Sequence, residues 1–307
     1  MSSDDPAVSG TATGRLDVRR TYKLYVGGAF PRSESGRSYE VRDAAGRFVA
    51  NAAHASRKDA RDAVAAARAA VADWAARTPY NRGQVLYRTA EVLEGRHGQL
   101  VEEVVSAEGL DRAAAGAVVD ASVDRLVWYA GWADKLSQVL GATNPVAARF
   151  VNFSVPEPTG VVAVLAPQTS SLLGLVSVLA PVVVSGNTVV VAAAPLHPVP
   201  AVTLAEVLAA SDVPGGVVNL LTGPLADTAA TLASHLDVDA LDLTGLADLA
   251  DRDAVAGLAR GLEQEAAANL KRVVRPPAEP PDWTAPPELA AMSAFLETKT
   301  VWHPVGR

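Results

Sequence analysis

The chain of 307 residues contains no cysteine. That absence excludes disulfides, thiolate metal sites and any cysteine nucleophile within it. Aromatic side chains are scarce as well, at 5% of the sequence against 49% hydrophobic residues in total, with Ala and Val dominant. Such a composition suits an aliphatic α/β core better than an aromatic-rich β-sandwich. Long uninterrupted apolar runs are also lacking. The most apolar stretch, residues 161–194, is broken by Pro167, Ser170, Ser171, Pro181 and the Gly186-Asn187 pair, so it reads as alternating soluble elements and not as a membrane span. Positive charge is not in excess. A formal net charge of -7 argues against nucleic acid or an anionic membrane as the main partner.

Common catalytic signatures are missing too. Neither G-x-G-x-x-G nor G-x-x-x-x-G-K-[ST] occurs, and Gly27-Gly28 and Gly215-Gly216 read as turns. His54, His97, His197, His235 and His303 are scattered with no H-E-x-x-H, so no metal site is expected. The absence of a G-x-S-x-G elbow leaves a serine hydrolase unsupported. Asp242, Thr244 and His197 are polar groups of interest, but their spacing does not converge.

What is present begins with a polar stretch. Met1 to Arg20 is rich in Ser, Asp, Gly and Thr, which predicts a disordered tail carrying neither a signal peptide nor an anchor, and hence a cytoplasmic protein. Tyr22 to Phe30 (YKLYVGGAF) alternates and ends at glycines, as a short strand or hairpin does. Ser56 followed by Asp59 is a capping box, and Ala60, Val64, Ala67, Val71 and Trp74 then recur on one helical face. A second helix follows Pro79, with Gly95 and Gly98 as points of bending or interruption. A third spans about residues 117–140, where Trp128, Tyr129 and Trp132 are read as packing residues.

The pattern changes near Arg149. Strands are predicted at Gly160–Ala166, Thr188–Ala194, Val217–Leu221, Ala240–Leu243 and Lys271–Val274. Helices are predicted between them at Leu172–Ser185, Val199–Ala210, Leu225–Leu236 and Leu249–Leu270. Continuous apolar strands alternating with helices call for a parallel sheet covered on both faces, a doubly wound, Rossmann-like α/β fold. The segment RPPAEPPDWTAPP then holds six prolines and predicts a semi-rigid extended linker. The expected organisation is a tail at 1–20, a helical region at 21–148, the dinucleotide-fold domain with a preceding hairpin at 149–274, the linker at 275–287, and a helix and strand at 288–307.

The strings SVPEPTGVVAVLAP, LAPVVVSGNTVVVAAA, VPGGVVNLLTG, LDLTG and AAANLKRVV occur in one order along residues 154–274, between an N-terminal YVGG and a terminal KTVWHPVG. In that order and spacing the chain resembles the NAD(P)-dependent aldehyde dehydrogenases. The resemblance implies a chemistry whose parts can be checked one by one. The family's nucleophile is a cysteine, and none exists here. Its general base is a glutamate after the LKRV strand, where this chain reads Val274-Arg275-Pro276-Pro277. Its oxyanion is stabilised by an asparagine amide, and Thr169 stands at that place. Its cofactor ribose is held by a lysine and a glutamate, at whose positions Ala192 and Pro195 stand.

The resemblance further implies that Gly223, Thr244 and Gly245 mark a degenerate cofactor site, with Leu246 where a serine hydroxyl is usual and backbone N–H groups after Gly245 as the remaining donors for an anion. It implies that the family's second α/β domain has given way to the Pro-rich segment. It also implies an oligomerisation hairpin, with Phe150, Phe153, Val155, Val301 and Trp302 as the apolar contact residues. From these the expected function is a non-catalytic structural or regulatory subunit assembling with itself or with a full-length, active aldehyde dehydrogenase. No cofactor is required, and NAD binding is weak if present. The alternative readings are a nucleotide- or small-anion-binding module and an NAD-dependent aldehyde oxidoreductase active only within a complex.

Overall fold

The computed structural model describes residues 19–305, so nearly all of the tail expected at 1–20 lies outside the described residues. A small sheet opens the described chain, formed by β1 (Thr21–Tyr22), β2 (Ser38–Arg42) and β3 (Phe48–Ala53) in the order β1-β3-β2. Past β1 the predicted hairpin shrinks to single bridges, Val26 to Ala29 and Tyr25 to Leu220. SYEVR and FVANAA alternate too poorly to predict β2 and β3. Their turn is more legible, since the Asp43 carboxylate accepts from the N–H groups of Ala45 and Arg47 at 3.0 and 2.8 Å, as Asp does in turns.

Helix α1 (Arg57–Ala76) starts at the expected capping box, with Ser56 and Asp59 satisfying each other's backbone N–H groups. The predicted second helix is two, α2 (Pro79–Glu94) and α3 (His97–Glu108), separated at Gly95. The third is likewise divided, into α4 (Arg112–Trp132) and α5 (Leu136–Leu140), with Asp111 capping α4 through the N–H of Ala114. Tyr129 is buried, and Trp128 and Trp132 pack partly buried against the same core.

A second small sheet begins with β4 (Ala142–Thr143) and β5 (Phe150–Pro158). The chain then alternates: β6 (Val161–Leu165), α6 (Leu173–Val184), β7 (Thr188–Ala192), α7 (Pro198–Ala209), β8 (Val218–Leu221), α8 (Leu225–Ser234), β9 (Ala240–Asp242), α9 (Arg252–Ala266) and β10 (Arg272–Val274). The five strands form one wholly parallel sheet in the order β10-β9-β6-β7-β8. Successive residues of β6 face opposite layers. Val162 and Val164 join the cluster built with α6 and α7, whereas Val161, Ala163 and Leu165 join the one built with α1, α8 and α9. Two buried faces explain why these strands read as continuous apolar runs. Every residue of α6 is buried, as an all-round hydrophobic helix must be. Its C-terminal carbonyls are met by the Trp74 indole, bonded to Val183 at 2.9 Å, and by the Arg82 guanidinium, bonded to Val184 at 3.0 Å.

One expected helix begins late. The helix expected from Leu249 starts only at Arg252, after a 3-10 turn over Thr244–Asp248. The reason is local: Asp251 accepts from the N–H of Ala254 at 2.9 Å and so fixes the helix start after itself.

After β10 the Pro-rich residues 275–287 lead to α10 (Leu289–Ser293) and β11 (Leu296–Pro304). β11 folds back on its own chain. It pairs antiparallel with β5 from Leu296–Pro158 to Pro304–Phe150, giving a sheet of order β11-β5-β4. The register divides the five expected contact residues between two faces. Phe153, Val155 and Val301 share one, while Phe150 and Trp302 share the other, their rings 5.9 Å apart and 41% and 58% exposed.

Candidate functional site at the switch point of the sheet

Strand order reverses between β6 and β9, and in open parallel sheets the crevice beyond the strand C-termini at such a reversal is where ligands bind. Here the two loops that flank it touch. A Cβ on Gly245 would collide with the carbonyl of Leu165 and the backbone of Ala166 and Pro167. This glycine is therefore required by backbone packing across the crevice. Gly223 has φ +123° and packs against the N–H of Ala55 and the ring of His54, so it too has a structural reason to be glycine.

Thr169, at the expected oxyanion position, lies in the loop after β6. Its backbone N–H and its hydroxyl both donate to one oxygen of Asp248, at 3.2 and 3.1 Å. The other oxygen of that carboxylate accepts the indole N–H of Trp283 at 3.3 Å. Arg125 supports the same closure, donating to Ser177 Oγ and to the carbonyl of Ala285, both at 2.5 Å. Residues 283–285 of the Pro-rich segment thus lie across the crevice mouth. No sequence pattern signals this, because Thr169 and Asp248 are 79 residues apart.

Several backbone donors beyond the strand ends are engaged or lie near negative charge. The N–H of Ser171, before α6, donates to Glu108 at 2.6 Å. At α7, Pro198 and Pro200 carry no N–H. Asp227 sits in the first turn of α8, bonded to His54 at 2.6 Å, which holds its carboxyl below the ordinary range. α9 is capped by Asp251 and has Asp253 in its first turn. Thr244 N–H donates to Asp242 at 2.9 Å. Asp242 is buried, and burial pushes its carboxyl up. Several helix N-termini beyond the strands, which would otherwise attract anions, thus carry acidic side chains or prolines.

Ala192 is buried among apolar side chains of the second cluster, followed by buried Ala193 and Ala194. Asp242 and Thr244 meet within one turn, whereas His197 lies in a separate cleft with Tyr22 and Glu103. Among the described residues no group of three or more His, Cys, Asp or Glu is placed to hold a metal ion, and no helix is long and apolar enough to cross a membrane.

Comparison with known proteins agrees with this architecture. The aldehyde dehydrogenase family model matches residues 30–273. The cytosolic 10-formyltetrahydrofolate dehydrogenase of Mus musculus is 32% identical over 249 residues, covering 76% of this chain and 26% of that protein. The cytosolic aldehyde dehydrogenase 1 of Elephantulus edwardii is 31% identical over 258 residues, covering 82% of this chain and 49% of the relative. Among solved structures, HpcC from Thermus thermophilus superimposes with a TM-score of 0.76 at 28% identity, over 83% of this chain and 48% of its own. The chain thus spans between about a quarter and a half of the length of these relatives. With its sequence matched by the family model over most of its length, the chain belongs to the aldehyde dehydrogenase family.

Proposed function

We propose that this chain is a non-catalytic structural or regulatory member of the family, assembling with itself or with a full-length, active aldehyde dehydrogenase. The single observation that carries the reading is the pairing of Thr169 with Asp248. An oxyanion site needs donors aimed at developing negative charge. Here the donors are spent on a carboxylate, which adds negative charge at the same place. The absence of cysteine and the Pro276-Pro277 pair after β10 support the same reading, because acyl chemistry of the family's kind needs both a thiolate and a base.

Weak or absent NAD binding is part of the proposal. The acidic side chains Asp227, Asp248 and Asp251 at the turns and helix starts beyond the strands repel a dinucleotide's phosphates, and Ala192 and Pro195, where the family resemblance places the ribose contacts, carry no polar side chain. The same carboxylates disfavour the small-anion module. Assembly is supported by the exposed Phe150 and Trp302 on one face of the β11-β5-β4 sheet and by the place of β11 at the edge of that sheet. The test is co-purification of the native protein under mild salt, mass spectrometry of what accompanies it, and an aldehyde oxidation assay of the chain alone. A lone monomer with no partner, or turnover by the purified chain, would overturn the proposal.

A further inference from the structure

A cleft of about 250 Å³ opens between the first small sheet and the loop of residues 32–37. The strands place one wall. Thr21 pairs with Asn51 and Ser38 with Ala53, so β1 and β2 stand on either side of β3, about 10 Å apart by the ordinary strand spacing. Thr21 and Lys23 flank the buried Tyr22 and share the exposed face. Between them and Ser38 the floor is Ala53, whose methyl group leaves the space open.

The loop forms the other wall, and it is held in place. Gly36, with φ +68°, donates its N–H to the carbonyl of Ser33 at 2.9 Å. Ser33 Oγ and Glu34 N–H bond the Asp59 carboxylate at 2.7 and 3.1 Å, which ties the loop to the start of α1. Arg32 and Arg37 of this loop face the same cleft as Lys23.

Three cations therefore line one cleft, and no carboxylate does, in a chain whose net charge is -7. No ion pair among the described residues includes Lys23, Arg32 or Arg37. The nearby acids are engaged elsewhere: Asp59 with Ser33 and Ser56, Glu34 with Ser56, and Asp227 with His54. All three cations, and the hydroxyl-bearing Thr21 and Ser38, are exposed and so open to a solute. Guanidinium forks and hydroxyls suit phosphoryl oxygens.

We propose that this cleft binds a diphosphate group, as free pyrophosphate or as the diphosphate of a nucleotide. Lys23, Arg32 and Arg37 supply the charge, and Thr21 and Ser38 supply neutral donors. A diphosphate carries more charge than orthophosphate and presents two sets of oxygens to walls on opposite sides. The site is separate from the crevice beyond the parallel strands, where acidic side chains gather.

Calorimetry on the full chain, at low ionic strength and without divalent cations, compares pyrophosphate, ADP and orthophosphate. The expected result is saturable binding of pyrophosphate, ADP or both, with orthophosphate at least about tenfold weaker. Binding of ADP alone assigns the diphosphate to a nucleotide, and binding of pyrophosphate alone to the free ion. Lys23→Gln and Arg32→Gln, at exposed positions that leave the fold intact, should each lower the affinity about tenfold. Arg260→Gln, which removes an equal charge from α9, should leave it unchanged. Absence of binding by both diphosphates, orthophosphate bound as tightly as either, native affinity in both cleft variants, or an equal loss in Arg260→Gln would overturn the proposal.

Discussion

Thr169 donates twice to a single oxygen of Asp248, through its backbone N–H at 3.2 Å and its hydroxyl at 3.1 Å. The carboxylate thereby joins the loop after β6 to the 3-10 turn after β9, and its other oxygen holds Trp283 of the Pro-rich segment. At the crevice that in a doubly wound sheet opens to a ligand, three segments of one chain are thus linked to one another.

Asp248→Ala should release that linkage. It removes the acceptor of three hydrogen bonds at a partly exposed site, a loss of roughly 1–3 kcal/mol. Limited proteolysis should then cut faster within residues 275–287 while far-UV circular dichroism stays unchanged. Cleavage at the native rate would show that Asp248 does not hold the segment.

The purified chain should reduce neither NAD nor NADP with any of a panel of aldehydes, since it has no thiolate and reads Arg275-Pro276-Pro277 where the resemblance expects the glutamate base. Turnover above a boiled control, in material proven free of host dehydrogenases, contradicts this.

NAD affinity should be no tighter than near-millimolar. Each missing ribose contact costs roughly 1–3 kcal/mol, and the surrounding carboxylates add repulsion. Ala192→Lys with Pro195→Glu should not restore binding, because Ala192 is buried in an apolar cluster. Low-micromolar affinity by calorimetry, in either protein, is the contrary result.

Asp242 gives a pH-dependent stability of known sign. Burial raises its folded pKa above the ordinary 3.8, so the folded state holds the proton more tightly than the unfolded chain. The stability from this group is full below the unfolded value and is lost as pH rises through the folded one. Asp242→Asn keeps the acceptor for Thr244 N–H and removes the charge. Its urea midpoint should exceed the native one at pH 7, with the gap closing as pH falls toward about 4. A gap that is constant with pH would rule out titration of Asp242 as its source.

The sheet of β4, β5 and β11 should carry the assembly. Phe150→Ser with Trp302→Ser should leave the chain folded and shift it to a smaller species by light scattering. Deleting Thr298–Arg307 strips the partner from β5 over Phe150–Pro156 and should give insoluble protein. A soluble, monomeric deletion product that loses no partner argues against the interface.

Local chemistry made most of the parallel sheet legible. Runs such as TVVVA and VVAVL permit little other than a strand buried on both faces, and Ser56 with Asp59 announced the start of α1. Elements whose reasons are less local were harder to read. β2 and β3 owe their pairing to the tertiary setting more than to alternation, and the start of α9 depended on which of several acidic residues served as its cap.

The sequence by itself determined that no cysteine chemistry is available within it and that strands and helices alternate from β6 to β10. These follow from residue identity and from spacings of two to four residues, over which backbone geometry alone decides which side chains share a face. Only the tertiary structure decided that β11 returns to β5, that Thr169 meets Asp248, and that Glu103 and His197 line one cleft. Those partners are 79 or more residues apart in every case. What joins them is the order of strands in the sheet and the packing of helices against it, which no local periodicity encodes.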